Sequence, residues 1–139
     1  MESKTHTNSL ARKYAMQFLY QCECEKIFFY QEATFTSFAE NFNINELTMQ
    51  YLKKLVRGVM NQMPEIDEVI KSFSDNWNIN RLAMTDRAIL RLAIYELNYL
   101  DTPKKVVINE AIELAKEHGT EKSGGFVNAI LDKINRNDA

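Results

Sequence analysis

At 139 residues, with 45% hydrophobic and 26% charged side chains, the chain can build one core and is too short for two ordinary domains. Its net charge of -2 excludes a protein that holds nucleic acid by bulk charge alone, because phosphate contacts need Lys or Arg in excess. No apolar run approaches the roughly 20 residues a bilayer span requires, and the polar stretch Met1 to Asn8 lacks a signal peptide's apolar segment, so a cytoplasmic protein is expected.

Apolar residues recur at helical spacing along nearly the whole chain, which predicts an all-α fold. A first helix covers about Leu10 to Glu23, with Ala11, Tyr14, Ala15 and Phe18 on one face. Cys22 and Cys24 fall at its end. Residues two apart on a helix point in different directions, so one thiol should pack and the other lie near the surface. His6 and His118 are the only histidines, too few to complete a metal site with this pair, and no cofactor is implied. After a loop, Phe35, Phe38 and Phe42 keep helical spacing and predict a short helix.

Leu52, Leu55, Val56 and Val59 mark the next helix; Ile66, Val69, Ile70 and Phe73 mark another, with Pro64 in its first turn. Trp77 is expected to pack between the two halves of the molecule. Thr85 can cap a helix opening at Asp86, whose apolar face is Leu90, Ala93, Ile94 and Leu97, and which stops near Asp101-Thr102-Pro103. The stripe Ile108, Ala111, Ile112, Ala115 follows, ended by a left-handed Gly119. Ser123 can cap the last helix, marked by Val127, Ile130, Leu131 and Ile134, although Gly124 and Gly125 weaken its first turn by about 1 kcal/mol each. The expectation is a single domain over 1–139 with about seven helices, arranged as two small bundles sharing a core.

No nucleophile–base constellation, glycine-rich phosphate cradle or metal set emerges, so the chain reads as a binding protein, not an enzyme. Asn109 and Glu110 read as structural groups tying helix ends together.

Three blocks are more specific. DRAILRLAIYEL runs from Asp86 to Leu97, PKKVVINEAIELAK from Pro103 to Lys116, and FVNAILDKI from Phe126 to Ile134. In this order and at these separations they resemble the NusB family of transcription antitermination factors, strongly over 81–134. Ala11-Arg12 and the run from Ala15 to Gln21 match more loosely. The resemblance implies a non-catalytic protein that binds the boxA RNA of nascent ribosomal RNA transcripts together with NusE, a ribosomal protein of the small subunit, before joining RNA polymerase. It implies RNA contacts at Lys4, Arg12, Lys13, Lys122, Phe126 and Asn128, and NusE contacts at Asp86 and Arg87. It leaves open a homodimer in the free state. Asn8-Ser9-Leu10 stands where a basic run is usual, and Gly125 where a lysine is common, so fewer phosphates should be neutralised. The alternative is an RNA-targeting accessory domain similar to that of ribosomal RNA methyltransferases.

Overall fold

The computed structural model describes residues 4–75 and 79–137. Trp77 and its expected packing lie outside the described residues. Among them the chain forms seven α-helices: α1 (Lys4–Glu25), α2 (Glu32–Ala39), α3 (Glu46–Asn61), α4 (Met63–Phe73), α5 (Met84–Tyr99), α6 (Lys104–His118) and α7 (Ser123–Asn137), with a 3-10 turn at Ile79–Arg81.

Helix α5 is the axle. It packs against α1, α3, α4, α6 and α7, and eleven of its sixteen residues are buried. An amphipathic helix buries one stripe; one covered on most sides must bury polar groups too, and α5 buries Asp86, Arg87, Arg91 and Glu96 beside its apolar residues. On one side α1 and α3 pair closely, with α2 laid over them through Phe18, whose ring meets Phe35 and Phe38 edge-on at 5.5 and 5.2 Å. On the other side α6 and α7 pair and close against α5. Two small bundles therefore share the α5 core, as expected.

Local chemistry sets the boundaries. Asn45 caps α3, its side chain accepting the Thr48 N–H at 2.9 Å. Pro64 sits in the first turn of α4. Helix α1 is longer than expected at both ends and stops in a Schellman turn. There the Ile27 N–H donates to the Cys22 carbonyl at 2.9 Å and the Lys26 N–H to the Glu23 carbonyl at 3.2 Å. Lys26 takes the left-handed position, φ 59°, that glycine usually fills. Cys22 is buried and Cys24 exposed, as the helical spacing requires.

Four expectations change. Helix α2 stops at Ala39, so Phe42 lies past it, its ring against Phe38 and Tyr14 at 5.0 and 4.9 Å. Helix α5 starts at Met84 after Ala83, so Thr85 lies inside the helix and does not cap it. Gly119 is extended, φ -96° and ψ -159°, and not left-handed; it is glycine because a Cβ would overlap Ser123 Oγ and stand 2.8 Å from the Ala115 carbonyl. Ser123 turns its Oγ back to accept the Thr120 N–H at 3.0 Å, and Thr120 Oγ1 instead accepts the Lys122 N–H at 3.2 Å.

Lys26→Gly should raise stability by about 1 kcal/mol, because a left-handed L-residue costs roughly that much. Urea unfolding checks it: an unchanged or lower midpoint would mean that the Lys26 side chain contributes more than its backbone costs.

Candidate nucleic-acid interface

Two charge clusters pin α1 to the rest of the fold. In the first, Arg12 of α1 reaches Glu96 of α5 with two bonds, Nε to Oε1 at 2.7 Å and Nη2 to Oε2 at 2.9 Å. Tyr51 of α3 donates its hydroxyl to the same Glu96 at 2.7 Å. The remaining Nη1 of Arg12 bonds Glu110 of α6 at 3.1 Å, and Ser9 donates to that carboxylate as well. Arg12 is 3% exposed and Glu96 1%. Burial by itself lowers the Arg12 pKa, but the Glu96 carboxylate outweighs it and the net direction is upward, so the guanidinium stays charged. Burial, with the bond to Glu96 behind it, pushes the Tyr51 hydroxyl up to about 12.

The second cluster mirrors the first. Glu23 of α1 accepts from Arg87 at 2.8 Å and from Arg91 at 2.9 Å, both on α5. Arg91 also holds Asp67 of α4 with paired bonds of 2.8 and 3.0 Å, and Arg87 donates to the Leu82 carbonyl at 2.9 Å. Burial alone would raise the Glu23 carboxyl, yet hydrogen bonds from Arg87 and Arg91 override it and hold the group below its usual range.

These clusters relocate several expected site residues. Arg12 faces inward and pairs with Glu96 and Glu110 instead of standing free at the helix start. Asp86 and Arg87, implied as partner contacts, are both buried at the start of α5, where Arg87 bonds Glu23 of α1 and the Leu82 carbonyl. Glu110 does tie α6 to α1, as expected, whereas Asn109 is exposed. The side chain of Lys4 lies outside the described residues. Lys13 is half-buried on α1.

At the far end of α6, Lys122 and Asn128 are exposed, while Phe126 is half-buried and leans on the core. Phe126 and Asn128 do not share a face. From Glu110 to the end of α6 is roughly 12 Å at 1.5 Å per residue, so the α1 group and the α7 group flank one helix without touching. Sequence reasoning missed the carboxylate partners, because Glu96 and Glu110 lie 84 and 98 residues from Arg12 and no local spacing announces the pairing.

Beside the first cluster opens a cleft of about 580 Å³, lined by Asn8, Arg12, Tyr51, Lys54, Tyr99 and Asp101 among others. One flank is cationic and aromatic, the other carries the α5–α6 turn. These features define an all-helical module with internally locked arginines and an open groove edged by a lysine and tyrosine rings.

Comparison with known proteins narrows the class. The model of the NusB family matches residues 9–136. The chain is 43% identical over 133 residues to the transcription antitermination protein NusB of Anaeromyxobacter dehalogenans, covering 94% of this chain and 91% of that one. Its fold superposes on NusB of T. maritima with a TM-score of 0.81 at 34% identity, covering 98% of this chain and 93% of that one. It also superposes on antitermination factors NusB and NusE solved in complex with dsRNA, with a TM-score of 0.85 at 30% identity, covering 95% of this chain and 98% of that one. The chain belongs to the NusB family.

Two measurements follow from the clusters. Arg12→Ala leaves Glu96 charged and buried with one partner fewer, so it should cost about 3–5 kcal/mol of stability in denaturant unfolding. A loss below 1 kcal/mol would show that water reaches Glu96. Because the folded pKa of Glu23 is depressed, its contribution is present above its usual value of 4.5 and is lost as pH falls below that through the lowered folded value. Glu23→Gln should therefore flatten the stability–pH curve below about pH 4.5; a variant curve as steep as the wild type's would assign the acid sensitivity to other carboxylates.

Proposed function

We propose that this chain is a transcription antitermination factor that binds boxA RNA of nascent ribosomal RNA transcripts jointly with the ribosomal protein NusE. The observation that supports it best is the fit, over nearly the full length of both chains, to a NusB solved with NusE and dsRNA. The assembled pair then joins RNA polymerase in the cytoplasm and suppresses termination. The role is recognition, without catalysis.

Physical chemistry favours a shared site. A chain of net charge -2 whose Arg12, Arg87 and Arg91 are consumed by carboxylates gains little from phosphates alone. A basic ribosomal partner supplies the missing counter-charge along the same strand. Lys13, Lys122 and Asn128 remain the RNA-facing candidates of the expected set, with Lys4 at the N-terminus and Phe126 offering a ring edge to an unstacked base. Arg12 acts from beneath, by holding the start of α1 in place. The NusE-facing corner is the start of α5, where Asp86 and Arg87 lie buried and shape the surface from inside. Self-association of the free protein would cover part of the same surface and is read directly by sedimentation.

Labelled boxA-containing RNA titrated with this protein alone, then with NusE present, should bind at least tenfold tighter in the second case, a coupling of about 1.4 kcal/mol. Equal affinities would overturn the shared site.

A further inference from the structure

Helix α3 carries a second groove beside the first. It encloses about 490 Å³ and is lined by Gln50, Lys53, Lys54, Arg57, Asn61 and Tyr95; Lys54 also lines the 580 Å³ cleft, so the two run together. We propose that this α3–α5 face is a binding track for single-stranded RNA, with Lys54 and Arg57 on phosphates and Tyr99 under a base. The inference rests on the reading that the chain binds RNA, and it places part of that contact on residues outside the expected set.

The geometry suits a single strand. Lys54 and Arg57 are three apart on α3 and both exposed, so they project along one edge. Lys53 is spent on Glu32 at 2.7 Å, which also quiets the nearest carboxylate. Arg57 lies 5.4 Å from the centre of the Tyr30 ring, a contact that orients its guanidinium, and it makes no salt bridge among the described residues, although it feels the Glu32 carboxylate that Lys53 holds. Lys54 has no ion-pair partner among the described residues. Asp101 is the opposing carboxylate, and it lies across the cleft on the α5–α6 turn.

Next to these cations two tyrosines of α5 are stacked. The rings of Tyr95 and Tyr99 lie 5.4 Å apart and 20° from parallel, and Tyr99 is 43% exposed. Gly58 makes this possible, since a Cβ there would overlap the Tyr95 ring. Tyr95 thus lies flat on α3, and Tyr99 continues the stack outward beside the cleft. A base could extend that stack while its flanking phosphates meet Lys54 and Arg57. Duplex RNA hides its base faces and would gain only the charges. The cations matter more because Arg12, at the mouth of the same cleft, is already committed to Glu96 and Glu110.

The test uses the full chain with NusE and a labelled single-stranded boxA-containing RNA, across a salt series. Lys54→Ala with Arg57→Ala should weaken binding at least tenfold at low salt and flatten the slope of log affinity against log salt by about 1.4, at roughly 0.7 per phosphate on a single strand. Tyr99→Ala should weaken binding about fivefold or more, and Tyr99→Phe should restore it, since stacking needs the ring and not the hydroxyl. Lys71→Ala, an exposed cation on α4, is the control and should leave both readouts unchanged, with thermal melts confirming that every variant is folded. If the wild type binds RNA and the α3 and Tyr99 variants bind it equally well, the track is wrong and the proposed function stands. If the wild type with NusE binds no RNA, both fail. If poly-glutamate displaces the RNA through Lys54 and Arg57 while Tyr99→Ala has no effect, the face is a generic acidic-polymer site and the inference is overturned.

Discussion

Both oxygens of Glu96 are closed off by the Arg12 guanidinium, in a place where neither group has water to fall back on. The pair is worth little as net stability, since desolvating two charges offsets most of their attraction. Its consequence is geometric. Helix α1 donates an arginine to a glutamate of α5 near its start, and near its end presents Glu23 to two arginines of α5. The polarity is reversed between the two sites, some 16 Å apart at 1.5 Å per residue. An antiparallel α1 on α5 satisfies both. A parallel one would set Arg12 beside Arg87 and Arg91 and strand Glu23 against Glu96. Buried charge here selects the orientation and register of a helix pair that apolar packing alone would leave loosely determined.

That selection has a cost for recognition. Three arginines that composition counts as cations are held by four carboxylates inside the fold, so fewer cations are left on the surface to meet a polyanion than composition suggests. The cations left outside are scattered over the surface, among them Lys54 and Arg57 on α3, Lys13 on α1 and Lys122 before α7. Such a surface can guide a strand but holds it weakly, which favours the proposed sharing of RNA with a cationic partner.

The helices were legible in the sequence because a 3.6-residue period leaves a direct imprint on apolar spacing. The stripes of α3 and α7 are buried in full, residue for residue. In α6 the period was right and the face slightly turned: Val107, Ala111, Leu114 and Ala115 are buried while Ile108 and Ile112 are half-covered. A helix with apolar residues on more than one side does not say which side wins; its neighbours decide. Helix stops were less legible, since Lys26 takes a position that chemistry would give to glycine and Gly119 does not take the one expected of it. The site was least legible. Nothing near Arg12 in the chain distinguishes a solvated cation at a helix start from one locked to carboxylates brought in from two distant helices.

The locked register also limits how partner and RNA can influence one another. Coupling between two ligands requires either a two-state element that both bias or a surface that both touch. Sliding or rotating α1 along α5 would strip partners from Glu96 and Glu23 together, leaving two buried charges exposed to a low dielectric at several kcal/mol each. That far exceeds the roughly 1.4 kcal/mol a tenfold coupling needs. The scaffold is therefore a poor relay and a good platform. The proposed cooperation with a second protein runs through the RNA itself, along the backbone that both proteins are proposed to neutralise, and not through a shift of this frame.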